Sequence, residues 1–225
     1  MKREAILWWG VGKTVLGGAT HVVASLKQYG RERVPRDGGL VMAVNHAAWI
    51  DIPVIGALCP RRIVYLAKIE AHEVPVLGPF IRAMGTLAVR RGESDREAVR
   101  LARQAVRQNE MLGMFVEGTR QRSGEPGEAK PGAAMVAIQE GVPVIPAAIY
   151  NSHNWHLGSR VPISIAWGEP MRFAEHPRNS KGYRSATEEI ATEIRRLWEF
   201  LAEMHRLGRP EGTPPRRLAV PSKSE

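Results

Sequence analysis

The chain has 225 residues, 44% of them hydrophobic, which suffices for one core and is too few for two ordinary domains. Its single cysteine, Cys59, excludes an intramolecular disulfide and favours a reducing, cytoplasmic setting. The formal net charge of +9 lies mostly at the ends, because residues 1–36 hold seven Lys or Arg against two acids and residues 208–225 hold four against two. Basic ends around a near-neutral body predict a polyanionic partner, either anionic lipid or nucleic acid.

Residues 1–34 are predicted to form an amphipathic, basic helical segment that docks on a membrane. The stretch from Ala5 to Leu26 is poor in charge, but Lys13 and four glycines interrupt it, which disfavours a bilayer span and a signal peptide. Basic and aromatic residues occur together here, as in helices that lie in a membrane interface: Lys2, Arg3, Lys27, Trp8 and Trp9. A true span and an ordinary core-packing helix stay open as alternatives.

Residues 35–207 are predicted to form a single α/β domain with a central mixed sheet flanked by helices. Short apolar runs alternate there with segments of helical period, the pattern of α/β proteins. The predicted strands are Leu40–Asn45, Arg62–Leu66, Thr86–Val89, Met111–Val116, Val142–Ile149 and Val161–Trp167. The predicted helices begin near Ser94, Gly132 and Tyr183, and the last of them carries one apolar stripe to Leu207.

Proline positions shape two further expectations. Pro143 and Pro146 lie inside one predicted strand and would remove hydrogen bonds from a central ladder, so this strand is expected at an edge or to be irregular. From Gly208 onward, proline and charged residues dominate. Residues 208–225 are therefore predicted to form a disordered tail.

A histidine and an aspartate stand five positions apart directly after a predicted buried strand, within residues 45–51, Asn-His-Ala-Ala-Trp-Ile-Asp. Loops at the ends of strands carry the ligand sites of α/β proteins. Asp51 can accept from one ring nitrogen of His46 and so fix the tautomer, which leaves the other nitrogen to take a proton. On its own, this spacing more often reflects a histidine hydrogen-bonded in a turn and an aspartate that caps a helix.

A second strand ends in four consecutive functional residues, Glu117, Gly118, Thr119 and Arg120. Gly118 allows the backbone to approach a ligand closely, and the guanidinium of Arg120 can bind phosphate through two parallel hydrogen bonds. Glu117 is expected to hold a substrate hydroxyl or to pair with Arg120. A charged surface turn is the alternative interpretation.

Together these blocks resemble the conserved motifs of the glycerolipid acyltransferases, specifically the lysophosphatidic acid acyltransferase family. Residues 45–51 resemble the family's NHxxxxD block, and residues 115–120 resemble its FPEGTR block, with Val116 in place of the usual proline. Residues 68–91, with Lys68 and Arg91 at their ends, resemble its second motif, and residues 142–146 resemble its fourth. The four blocks stand in the family's order within about residues 35–170.

The resemblance implies acyl transfer from acyl-CoA or acyl-carrier protein to the hydroxyl of a lysophospholipid, with 1-acylglycerol 3-phosphate as the expected acceptor. It implies that His46 is the base and Asp51 its orienting partner. By the same resemblance, the residues expected to contact the acceptor and its phosphate are Glu117, Gly118, Thr119, Arg120, Arg91 and Lys68. No metal and no cofactor are expected, and the protein is expected at the cytoplasmic face of an anionic membrane as a peripheral or monotopic protein.

Three alternatives remain at this point. The acceptor can be another lysophospholipid or glycerol 3-phosphate. A Ser/His/Asp hydrolase or thioesterase is disfavoured because no Gly-x-Ser-x-Gly motif occurs. A nucleic-acid-binding module is suggested by pI ≈ 10.2 and by three arginines on one helix face, at 100, 103 and 107, but such a face is usually only solvated. We therefore predict no nucleic-acid partner.

Overall fold

A computed structural model describes residues 24–69, 86–89 and 95–217, together with the isolated positions 18, 73 and 75. Most of the predicted N-terminal helical segment, including Trp8 and Trp9, lies outside the described residues, as does Arg91. In the part of the chain that the structure describes, no helix is both long and apolar enough to cross a membrane.

Seven strands of the described residues form one mixed sheet. They are β1 (Ser25–Tyr29), β2 (Leu40–Val44), β3 (Ile63–Lys68), β4 (Leu87–Val89), β5 (Met111–Phe115), β6 (Val144–Tyr150) and β7 (Pro162–Trp167). Their order across the sheet is β1-β7-β6-β2-β5-β3-β4. Of these neighbouring pairs, β6 and β7 are antiparallel to each other and the rest are parallel. The predicted α/β domain with a central mixed sheet is thus confirmed.

Helices cover both faces of the sheet. In the described ranges they are α1 (Asp51–Leu58), α2 (Asp95–Arg107), α3 (Gly132–Glu140) and α4 (Ser180–Arg206). Helix α1 packs on one face through Ile55 and Leu58. The other three pack on the opposite face, where Ala105 of α2 and Ile190 of α4 join one apolar cluster. Strand β2 is buried along its whole length because it lies between these two layers.

One edge of the sheet gathers most of the chain's strand-to-loop junctions. Strands β2, β3, β5 and β6 are parallel, so their carboxyl ends meet there, and β1 and β7 begin at the same edge because β7 runs antiparallel to β6. We call it the carboxyl edge. Ligand sites of α/β proteins form at such an edge.

The expectation that the proline-containing strand lies at an edge is wrong, because β6 lies between β2 and β7. Pro146 pairs with Ala43 of β2. Its carbonyl accepts from Gly168 N (2.8 Å), so its backbone polar side faces β7, where the registered ladder begins only at Ala147. The missing N–H of Pro146 therefore removes no bond to β2 and falls just before the first registered pair of β6 and β7.

The predicted helical segment 1–34 ends too late, since residues 25–29 form the edge strand β1. This strand pairs parallel with β7, Ser25 opposite Pro162 and Tyr29 opposite Ala166. Its sequence alternates polar and apolar residues too weakly to predict a strand, and its position depends on residues far along the chain. The sheet therefore extends N-terminal to the predicted domain boundary at residue 35.

The predicted disordered tail is instead packed on the domain as far as residue 217. Tyr29 Oη donates to Pro210 O (3.1 Å), Arg33 Nη2 donates to Pro214 O (2.6 Å), and Arg209 Nη1 donates to Ser25 O (2.7 Å). Proline lacks an N–H, but its carbonyl still accepts, so side chains hold this segment where no ladder forms. Residues 218–225 lie outside the described residues.

Candidate active site

The imidazole of His46 and the carboxylate of Asp51 are in contact at the carboxyl edge. His46 follows β2 by two residues, and Asp51 begins α1, so the loop between them turns back on itself. The distance from His46 Nδ1 to Asp51 Oδ2 is 2.7 Å. The same oxygen accepts from the backbone N–H groups of Ala47 (2.7 Å) and Ala48 (2.9 Å). The carboxylate therefore shapes the loop that carries the histidine.

Burial and hydrogen bonding assign the two ring nitrogens of His46 different roles. The Asp51 side chain is fully buried, whereas 14% of the His46 side chain is exposed. A carboxylate only accepts hydrogen bonds, so Nδ1 is the nitrogen that carries the proton. Nε2 is then left with a free lone pair and can accept a proton from a bound molecule.

The loop is anchored by Asn45, for which the sequence analysis predicted no separate role. Its side-chain Nδ2 donates to Ile149 O (3.0 Å), and its Oδ1 accepts from Ile149 N (2.8 Å). The amide thus extends the β2–β6 pairing by one step through a side chain. This bond spans 104 positions in the sequence. The sequence alone shows only that an asparagine stands beside the histidine.

Glu117 acts as a clamp between two loops. It is 3% exposed, and its Oε2 accepts from His46 N (2.8 Å) while Oε1 accepts from Gly127 N (2.9 Å). Burial raises the pKa of Glu117 even though these two backbone bonds oppose the shift. The expectation that Glu117 pairs with Arg120 is wrong, since its carboxylate oxygens face backbone amides and Arg120 is exposed.

Two aromatic rings, those of Phe115 and Tyr65, support the imidazole of His46. The His46 ring stacks on Phe115 with ring centroids 3.9 Å apart and an interplanar angle of 22°, and Phe115 stacks on Tyr65 at 5.8 Å. Gly113 makes room for this stack, because a Cβ there would lie 2.5 Å from Tyr65 Cε1. Burial is the main reason that the pKa of Tyr65 is well above its usual value. The stack fixes the plane of the imidazole.

The loop after β5 places Gly118 and Lys130 together. Gly118 has φ +70°, and a Cβ added to it would lie 3.1 Å from Lys130 Nζ. A side chain at this position would therefore be strained and would displace an ammonium group. Lys130 was missed by the sequence analysis, although a lysine immediately before the start of α3 in a functional loop was a usable signal. The loop also touches the histidine, since Gln121 N donates to His46 O (2.7 Å).

The remaining predicted residues are placed to different degrees. Thr119 and Arg120 lie exposed in the loop beside His46. Lys68 is the last residue of β3, where it pairs with Val89, so its backbone lies at the carboxyl edge. Arg91 lies outside the described residues. The structure thus brings together the histidine, the aspartate and the loop after β5.

Comparison with known proteins identifies the relatives of this chain. A family model described as Acyltransferase matches residues 25–150. A 1-acyl-sn-glycerol-3-phosphate acyltransferase of Bacillus subtilis is 28% identical over 194 residues, which cover 83% of this chain and 96% of that protein. A lyso-ornithine lipid O-acyltransferase of Pseudomonas aeruginosa is 38% identical over 113 residues, 49% of this chain and 42% of that protein.

A solved structure shares the fold. The crystal structure of the 1-acyl-sn-glycerophosphate acyltransferase from Thermotoga maritima superposes with a TM-score of 0.70 at 20% sequence identity, and the match covers 91% of this chain and 81% of that one. The family match extends from Ser25, the first residue of β1, to Tyr150, the last residue of β6. It therefore includes the His46–Asp51 pair and the loop after β5.

Proposed function

Because the chain belongs to the acyltransferase family that includes the 1-acyl-sn-glycerol-3-phosphate acyltransferases, we propose that it acylates 1-acylglycerol 3-phosphate to give phosphatidic acid. The acyl group comes from a thioester, either acyl-CoA or acyl-carrier protein, and no cofactor takes part. The observation that carries this proposal is the 2.7 Å contact between His46 Nδ1 and Asp51 Oδ2 at the carboxyl edge. It supplies an oriented base beside a loop that carries cations.

The chemistry needs a base because an alcohol is a poor nucleophile. His46 Nε2 takes the proton of the acceptor hydroxyl while the oxygen of that hydroxyl attacks the carbonyl carbon of the thioester. Asp51 stabilises the imidazolium that forms. The tetrahedral intermediate then collapses: the carbon–sulfur bond breaks, and the thiolate receives the proton from His46. One ester forms, one thioester is cleaved, and the histidine returns to its starting state.

Backbone amides of the loop after β5 are the proposed donors to the oxyanion of the tetrahedral intermediate. The amide of Gly118 is engaged with Phe115 O (3.1 Å) and that of His46 with Glu117, so neither is available. Among the described residues, the amides of Thr119 and Arg120 have no protein acceptor. They stand in an exposed loop next to His46, where fixed donors stabilise developing negative charge.

The acceptor phosphate is proposed to bind at cations around the same loop. Arg120 is exposed and can bind phosphate through two hydrogen bonds, and the ammonium of Lys130 lies over Gly118. Lys68 and Arg91 of the second motif are proposed to join them. A phosphate monoester carries nearly two negative charges near neutral pH, so it benefits from several converging cations more than a substituted phosphate does.

We place the protein at the cytoplasmic face of an anionic membrane as a peripheral or monotopic protein. The basic ends of the chain support this location, because Lys and Arg near an anionic surface each add attraction. The residues 1–34 are proposed to contribute through their basic and aromatic residues.

A lyso-lipid with an ornithine headgroup is the second candidate acceptor. It is favoured by one observation, the 38% identity to a lyso-ornithine lipid O-acyltransferase. The acceptor choice therefore depends on measurement of several acceptors side by side.

The test is an acyl-transfer assay with the purified full chain. Labelled acyl-CoA and acyl-carrier protein are each offered with lysophosphatidic acid, glycerol 3-phosphate, lyso-ornithine lipid, lysophosphatidylcholine or no acceptor. We expect the highest kcat/KM with lysophosphatidic acid. A preference for lyso-ornithine lipid or lysophosphatidylcholine overturns the acceptor assignment, and donor cleavage at the same rate without an acceptor indicates a thioesterase.

A further inference from the structure

Large hydrophobic side chains are exposed at the carboxyl edge of the sheet. In the described part of the chain they are Trp49, Ile52, Leu157 and Leu207. The first three belong to loops or helix starts that follow β2 and β6. Leu207 follows α4 directly. The last turn of α4 lies near the same edge, because His205 Nε2 is 2.9 Å from Ser164 Oγ of β7. All four therefore lie at the edge of the sheet that carries His46.

Three of these residues and one neighbour lie in the two loops and at the start of α1, and we call them the tryptophan patch: Trp49, Ile52, Trp155 and Leu157. The rings of Trp49 and Trp155 meet edge to face with centroids 5.1 Å apart, which joins the two loops. Trp49 is 57% exposed and Leu157 is 84% exposed. Large apolar side chains that are exposed together at one edge, with polar residues around them, mark a surface that binds a partner.

The charge around the patch favours an anionic partner. In residues 45–58 and 151–161 the only acid is Asp51, which is buried, and the exposed charge is that of Arg160. Arg120 and Arg122 are exposed in the neighbouring loop. The same loop also carries exposed acids at 125 and 128, but with the exposed Lys130 its residues 118–130 hold three cations against two acids.

We infer that the tryptophan patch enters the interfacial layer of an anionic lipid bilayer and so holds the opening of the His46 site against the lipid surface. Tryptophan suits this layer because its ring is apolar and its N–H is polar. A bilayer explains both the apolar patch and the surrounding arginines, whereas an acyl-chain tunnel would bury Leu157. Ser25, the first residue of β1, also lies at this edge. The role of the patch in catalysis rests on the proposed function.

A label at position 157 tests the contact directly. In the full chain, Leu157→Cys provides an exposed thiol, while the natural cysteine, Cys59, is buried. A polarity-sensitive fluorophore on this thiol should shift to the blue when vesicles of phosphatidylcholine and phosphatidylglycerol are added. The same fluorophore on Gln108→Cys, exposed beyond α2 at the opposite edge, should not shift. The inference is overturned if the label at 157 stays in a water-like environment on vesicles that bind the protein.

Binding and activity give the size of the effect. Leu157→Glu should lower vesicle partitioning about tenfold or more, because a leucine that enters the bilayer is replaced by a charged side chain. Gln108→Glu changes the net charge equally and should leave partitioning near the wild-type value. Leu157→Glu should also slow transfer to a long-chain acceptor in vesicles but not to a short-chain acceptor that is free in water.

The two hypotheses fail differently. If wild-type protein acylates neither acceptor, the proposed function fails, while the label and the partitioning still report on the patch. If Leu157→Glu partitions like wild type and instead changes the acyl-chain preference with the water-soluble acceptor, the patch binds an acyl chain and the inference is overturned.

Discussion

Asp51 Oδ2 lies 2.7 Å from His46 Nδ1 and, at the same time, accepts from two backbone amides of the loop that carries the histidine. One carboxylate oxygen thus orients the ring and folds the loop. Because both contacts depend on a single atom, we expect substitution of Asp51 to affect activity and stability together.

Asp51→Asn is expected to lower kcat about 10²-fold, because an amide no longer enforces the tautomer with the proton on Nδ1. The free energy of unfolding should fall by about 1–3 kcal/mol, because the amide either turns its NH2 group toward the backbone N–H donors or buries it where Asp51 Oδ1 has no partner. Turnover and urea denaturation measure the two effects. Asp37→Asn, at an exposed position, serves as the control. If Asp51→Asn changes stability but leaves kcat intact, Asp51 is only a loop-former.

Glu117→Gln is expected to destabilise the protein by about 1–3 kcal/mol near neutral pH, because one of the two backbone amides loses its acceptor. The difference in the free energy of unfolding between wild type and Glu117→Gln should depend on pH. Burial raises the pKa of Glu117, so the folded state holds its proton more tightly than the unfolded state, and wild-type stability is lost as the pH rises from 4.5 through that raised pKa.

The free energy of unfolding, measured at several pH values for both proteins, checks this expectation. The lead of wild type over Glu117→Gln should be larger near pH 4.5 than near pH 7. Glu125→Gln, which alters an exposed glutamate of the same loop, should show no such trend. A lead that grows with pH contradicts the direction assigned to the Glu117 carboxyl.

The contrast between Asp51 and Glu117 shows what the sequence could predict. Asp51 stands five positions from His46, so its contact depends on one local turn that the strand pattern already placed. Glu117 meets His46 across 71 positions, and Asn45 meets Ile149 across 104. Such contacts follow from the strand order, and the order that puts β6 beside β2 cannot be read from periodicity.

The chain ends show the same limit. Composition predicted a disordered tail from Gly208, because proline and charge do not form a core. In the structure, Arg209 donates to Ser25 O (2.7 Å) across 184 positions, and β1 itself pairs with β7. Each segment gains its order from the other, so neither was predictable from its own residues.

Arg120→Ala is expected to raise KM for lysophosphatidic acid and to lower kcat/KM by about 1.5–3 kcal/mol, the range for a hydrogen bond to a charged group. Arg120→Lys should recover part of this loss, because a point charge cannot form the two parallel bonds of a guanidinium. Steady-state kinetics with lysophosphatidic acid and lysophosphatidylcholine measure the effect. Arg122→Ala, two positions further in the same exposed loop, is the control. Equal losses with both acceptors argue against phosphate binding by Arg120.

His205 predicts a loss of stability in mild acid. Burial, with the nearby charge of Arg209, lowers the pKa of His205 from 6.5 to about 4. Between these values the unfolded chain takes up a proton that the folded chain refuses, so stability present above pH 6.5 is lost as the pH falls toward 4. His205→Gln should therefore lose less stability than wild type between pH 7 and pH 4.5 in urea denaturation. His156→Gln, at an exposed histidine, should match wild type. Parallel losses for all three proteins contradict the assignment.

The role of His46 as general base is tested most directly by the rate of phosphatidic acid formation from acyl donor and lysophosphatidic acid, measured for wild type and His46→Ala. Removal of a general base lowers turnover by at least ~10²-fold. We expect His46→Ala to show that loss of turnover while it stays folded, with a far-UV circular dichroism spectrum and an unfolding midpoint close to those of wild type. The side chain is partly exposed, and the loop is held by Asp51 and Glu117. A folded His46→Ala protein that keeps more than a tenth of the wild-type rate would contradict the role of His46 as the base.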